Sequence, residues 1–128
     1  MSGMKNQLMV TQAARRIEEL FGTFIIEGSR KRDNIITRVA FVNALVDNKK
    51  FPISYSSIGD AINKDHSTVL HYRKSKYIYE YDELYIEVYN KTRSFVLKQE
   101  QFDGLKEDSI IDIIENIKEL ADLIKMNL

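Results

Sequence analysis

The chain has 128 residues, of which 44% are apolar and 30% charged, enough to build one core of ordinary domain size and too apolar for general disorder. It contains no cysteine, which excludes disulfides, thiolate metal sites and cysteine nucleophiles. The formal net charge is zero, yet residues 1–79 hold 13 Lys/Arg against 7 Asp/Glu and residues 80–128 hold 6 against 12, so a basic half precedes an acidic one.

The longest apolar runs are a few residues, and Met1 to Val10 lacks the apolar stretch of an export signal, so a cytoplasmic protein is expected. There is no internal repeat and no low-complexity tract. Apolar residues recur at helical intervals almost throughout, which predicts an all-α fold.

The first helix is expected to start with Thr11 as N-cap, to bury Ala13, Ala14, Ile17, Leu20 and Phe21, and to stop at Gly22. Phe24, Ile25 and Ile26 follow, then Gly28-Ser29 and the basic cluster Arg30-Lys31-Arg32. A second helix carries Ile35, Ile36, Val39, Ala40, Val42 or Asn43, and Val46 as one stripe and ends near Asp47-Asn48, before a polar, basic loop closed by Pro52. A short third helix, capped by Ser54, Ser56 or Ser57, carries Ile58, Ala61 and Ile62. After a tight Asn63-Lys64 turn, Asp65 can accept hydrogen bonds from the backbone of Ser67 or Thr68 and so cap a fourth helix running to about Tyr79. Val69 and Leu70 are expected to face inward. Tyr85, Val88, Tyr89 and Thr92 share one face of a helix from about Asp82 to Lys98, where acidic neighbours favour core packing of the tyrosines over base stacking. A linker with Gly104 leads to a last helix, capped by Asp108 or Ser109, with a broad apolar face over Ile110, Ile113, Ile114, Ile117, Leu120, Ala121 and Ile124.

Within this order, residues 56–74 are the most informative. A short helix, a turn and a second helix opening on small polar side chains can place that second helix in a DNA major groove, where its first residues meet base edges. His66, Ser67 and Thr68 can exchange hydrogen bonds with bases, and the Thr68 methyl can touch a thymine methyl. Arg73, Lys74 and Lys76 lie further along, where phosphates are expected. Between Arg30 and Lys76 there are 10 basic residues against 4 acidic, the cationic stripe a polyanion requires.

The run Asp65-His66-Ser67-Thr68-Val69-Leu70-His71, preceded by Ile58-Gly59-Asp60-Ala61, resembles the signature of the C-terminal DNA-binding domain (domain IV) of the bacterial replication initiator DnaA. Ser29-Arg30-Lys31-Arg32 with Ile35, Ile36 and Arg38 is similar to that family's basic loop and the helix behind it, so the resemblance covers roughly residues 17–78. It implies an all-α helix-turn-helix bundle, DnaA domain IV-like or Trp-repressor-like, over residues 1–80, with an acidic helical extension over 81–128. It further implies that Asp65, His66, Ser67 and Thr68 read bases, that Arg30 with Arg32 enters the adjacent minor groove, and that Arg38 approaches the backbone. Lys31, Lys64, His71, Arg73 and Lys74 complete the expected DNA-binding set. This sequence departs from the family in a turn before Asp65 that is one residue shorter, in a compressed segment between Phe21 and Arg30, and in a longer loop from Asp47 to Ser54 that brings in Lys49 and Lys50.

No Gly-x-x-x-x-Gly-Lys-Ser/Thr loop is present, so a DNA reader without the family's ATPase is expected, with no nucleotide and no cofactor. His66 and His71 lie about 140° apart around a helix of 3.6 residues per turn, with no convergent carboxylate pair, and neither a metal site nor an enzyme is expected. The expected function is sequence-preferring binding of duplex DNA, in replication or transcription, within a bacterial cell or one infected by a phage. The alternative is an interaction module that keeps the fold and binds a protein through its C-terminal helices; the Ile110 to Ile124 face either folds back on the core or makes a homodimer.

Overall fold

The computed structural model describes residues 2–28, 30–48, 53–103 and 107–126. All seven elements among these residues are helices: α1 (Ser2–Phe21), α2 (Arg32–Val46), α3 (Tyr55–Ile62), α4 (His66–Lys74), α5 (Lys76–Tyr79), α6 (Glu83–Asp103) and α7 (Glu107–Met126). No helix among them is long and apolar enough to cross a membrane. The chain divides into two compact units, Met1–Leu97 and Lys98–Leu128. The division expected after residue 80 falls later, because Tyr85, Val88 and Val96 of α6 are buried in the same apolar cluster as α1 to α4.

In α1 the chain is already helical well before Thr11. Straight-chain residues such as Gln7, Leu8 and Met9 favour helix, and Met9 and Val10 are buried, so the apolar face starts earlier than the expected cap. Thr11 therefore sits mid-helix, where its hydroxyl donates to the Gln7 carbonyl at 3.0 Å, the back-bonding an interior threonine makes in place of capping. The helix ends as expected at Gly22, which takes a left-handed φ of 65° while its N–H donates to the Glu18 carbonyl, a conformation that costs a Cβ-bearing residue about 1 kcal/mol or more.

The second helix buries almost its whole circumference where one stripe was expected, since α4 and α5 pack on it and the apolar cluster closes round its remaining faces. Its polar residues tolerate this because they are bonded: the Thr37 hydroxyl donates to the Asp33 carbonyl at 2.7 Å, and the Asn43 amide donates to the carbonyls of Val39 and Tyr72 at 2.8 and 3.2 Å. Fully buried Phe41, Ile36, Val39, Val42 and Leu45 each contribute about 1.5–3 kcal/mol of apolar burial.

Ser54 is the cap of α3, accepting from the Ser57 N–H at 3.1 Å. The chain then turns through Asn63, whose φ of 60° is left-handed and which asparagine tolerates better than most residues, and Lys64 donates its N–H to the Gly59 carbonyl at 2.8 Å. Val69 of α4 is buried, but Leu70 is exposed against expectation, being one helical step, about 100°, off the buried line of Val69. The helix expected to reach Tyr79 breaks at Ser75, whose buried hydroxyl donates to the His71 carbonyl at 2.8 Å. As a result Tyr77, Ile78 and Tyr81 are exposed, while Tyr85 is buried and Tyr89 half-buried. The Tyr85, Val88, Thr92 face of α6 faces inward as its spacing indicates.

In the second unit, Ile114, Ile117, Leu120, Leu123 and Ile124 of α7 are exposed. The Pro52 loop with Lys49 and Lys50, Ser29, Gly104, and the side chains of Ile110 and Ile113 lie outside the described residues.

Candidate nucleic-acid interface

Three exposed residues, Asp65, His66 and Ser67, open α4. Asp65 Oδ1 accepts both the Thr68 N–H and the Thr68 hydroxyl, each at 2.8 Å. The backbone N–H bond first, and the hydroxyl bond with it, hold the Asp65 carboxyl below the usual carboxylate range, so it stays charged well into acid. This ties up part of what the sequence assigned to base contact: one carboxylate oxygen serves the cap, and half-buried Thr68 directs its hydroxyl proton back to Asp65. His66 and Ser67 are the exposed polar side chains at the helix start without that duty, and His71 and Lys74 are exposed further along. Lys64 is half-buried in the turn.

The basic loop is built from the backbone outward. A carboxylate oxygen of Glu18, on α1, accepts the N–H groups of Ile25 and Ile26 at 2.8 and 3.2 Å, and Asn34 Oδ1, on α2, accepts that of Phe24 at 2.8 Å. Ile25 is fully buried beneath. Arg30, Lys31 and Arg32, which follow this anchored segment in the chain, are exposed. Arg32 is shared with Asp82 in an exposed ion pair of 3.2 Å, a contact of about 0–1 kcal/mol that a phosphate could replace.

Two arginines differ from their expected role. Arg38, expected at the DNA backbone, is only 3% exposed. Its guanidinium donates to the Ile25 carbonyl at 3.0 Å and to the Glu27 carbonyl; burial raises the Tyr72 hydroxyl of α4 above its usual range, and the nearby Arg38 charge works against that rise. The physical reason is position: Arg38 is buried on α2, where a planar multi-donor group can satisfy two loop carbonyls at once. One side chain thus ties the loop to α2 and sets its charge near α4.

Arg73, expected at a phosphate, donates from Nη1 to Asn43 Oδ1 at 2.9 Å and to Asp47 Oδ1 at 2.5 Å. The other Asp47 oxygen accepts the Tyr89 hydroxyl at 2.6 Å. Burial alone would raise the Asp47 carboxyl, but the bonds from Tyr89 and Arg73 and the charges of Arg73 and Lys76 hold it below its usual range, whereas Tyr89, half-buried and next to that carboxylate, is pushed up to about 12. These groups brace the C-terminal half of α4 against the end of α2 and against α6.

The expected set therefore separates into an exposed group of Arg30, Lys31, Arg32, Asp65, His66, Ser67, His71 and Lys74, the half-buried Lys64, Thr68 and Arg73, the last engaged with Asn43 and Asp47, and the buried Arg38. Glu18, Asn34, Asn43, Asp47, Tyr72 and Tyr89, which position these groups, were not singled out for that duty from sequence. The signal available for them was a polar residue on a helix face otherwise apolar, as at Asn43 between Val42 and Ala44. Comparison of the chain with family models, with curated protein sequences and with solved structures found no match.

Proposed function

We propose that the chain binds duplex DNA with a sequence preference, using a helix-turn-helix of α3 and α4 to set the start of α4 in the major groove and the Arg30 to Arg32 loop in the neighbouring minor groove. The observation that carries this reading is the position of Arg38: its buried guanidinium bonds the segment leading into the cationic loop and lies near Tyr72 of α4, the helix that opens on exposed His66 and Ser67. A two-point reader needs such a fixed spacing, since phosphate contacts orient and base contacts specify. The likeness of Asp65 to His71 to the DnaA signature supports the same assignment, as does the excess of cations between Arg30 and Lys76. Binding through α4 and the loop needs no bound nucleotide or metal, and suits a regulator of replication or transcription.

The exposed apolar face of α7 favours a second reading, a module that binds protein. Salt separates the two. With Arg30, Lys31, Arg32 and Lys74 as the exposed cations and Lys64 half-buried beside them, log affinity for duplex should fall against log salt with a slope of roughly −3 to −5, measured by fluorescence anisotropy on a labelled duplex. A slope near zero, or no binding at low salt, contradicts the proposal.

A further inference from the structure

Ile114, Ile117, Leu120 and Ile124 of α7 are 48–62% exposed. With Ala121 they fall within an arc of about 120° on a helix of 3.6 residues per turn, and in sequence Ile110 and Ile113 continue the arc. The charged residues Glu107, Asp108, Asp112, Glu115, Lys118, Glu119, Asp122 and Lys125 all fall outside it. Most of a helix's stability in proteins comes from packing its apolar face, and an uncharged stripe of about four turns is of the several-hundred-Å² scale that marks an interface.

We propose that this stripe is a homodimer interface, in which α7 pairs with α7 of a second copy running antiparallel. Charge decides both occupant and direction. The first half of α7 holds Glu107, Asp108, Asp112 and Glu115 with no cation, and the second half holds Lys118 and Lys125 with Glu119 and Asp122. A parallel pair sets four acidic residues beside four, whereas an antiparallel pair sets each acidic half beside the half with both lysines. The stripe from 110 to 124 is centred on Ile117, so the two-fold axis passes there and Lys125 of one copy comes level with the 107–112 turns of the other. A self-complementary stripe of this kind is what an isologous interface requires. The pairing is independent of what α4 recognises.

The test uses the full chain, whose lack of cysteine makes introduced thiols unambiguous. Sedimentation equilibrium should give twice the 15.0 kDa chain mass at tens of micromolar, and Ile117→Glu with Ile124→Glu should weaken association at least tenfold while the thermal unfolding of the first unit is unchanged. On oxidation Ile117→Cys should form covalent dimers and Ile124→Cys alone should not, while a mixture of Ile124→Cys and Ile110→Cys chains should cross-link to each other. A wild-type monomer at these concentrations, a dimer unmoved by the glutamates, or efficient self-linking of Ile124→Cys overturns the proposal.

Discussion

Gly59→Ala is expected to destabilise the first unit by about 3 kcal/mol, the upper range for forcing atoms into a filled space, and to lower its Tm by roughly 15 °C. In a helix interior the same change would ordinarily stabilise by about 1 kcal/mol. The sign reverses because a Cβ at Gly59 would lie 2.4 Å from the Lys64 carbonyl oxygen and 3.3 Å from the Asp65 carbonyl carbon. Those atoms are backbone, so no rotamer change relieves the contact; α3 and the turn must move apart. That motion also displaces Asp65, whose carboxylate caps α4, so the groups at the start of α4 lose their placement with the turn. Thermal unfolding followed by circular dichroism checks this, and a Gly59→Ala chain as stable as the parent would mean that α3 and α4 do not approach so closely.

Arg38→Ala should cost up to a similar amount, about 1–3 kcal/mol, by leaving the buried Ile25 carbonyl without its donor. The part-buried Glu27 carbonyl loses the same guanidinium, and the positive charge near Tyr72 of α4 is removed. Arg38→Lys should recover little, since a single ammonium does not reproduce the guanidinium fork that reaches both carbonyls. Denaturant titration gives the stability. Duplex binding by Arg38→Ala should weaken although every outward cation remains, because the loop is no longer fixed to α2, on which α4 packs. Full stability with a salt slope reduced by about one would instead return Arg38 to a phosphate contact.

The helical architecture and most helix ends were legible because they rest on local chemistry: apolar spacing, Ser54 and Asp65 as caps, Gly22 as a stop, Asn63 in the turn. What the sequence misplaced depends on tertiary neighbours. Thr11 reads as a cap until Met9 and Val10 are known to be buried. Arg38 and Arg73 read as surface cations because charge patterning cannot distinguish an arginine facing solvent from one facing carbonyls or a carboxylate across a helix interface; both are settled by contacts to residues 10 or more positions away. Leu70 was assigned to the core because spacing fixes a helical face only to within about one residue, or 100°. Of the candidate interface, the outward cations and the polar start of α4 were readable, and the device that holds them together was not.

The central claim is that the exposed start of α4 reads bases. The direct test is the ratio of affinities for a duplex selected from a random pool and for a random duplex, compared between the parent and His66→Ala with Ser67→Ala, a pair that leaves the Asp65 to Thr68 cap intact. The ratio should fall by about 1–3 kcal/mol per lost base contact, with affinity for the random duplex unchanged. An unaltered ratio in the double variant would contradict base readout by α4.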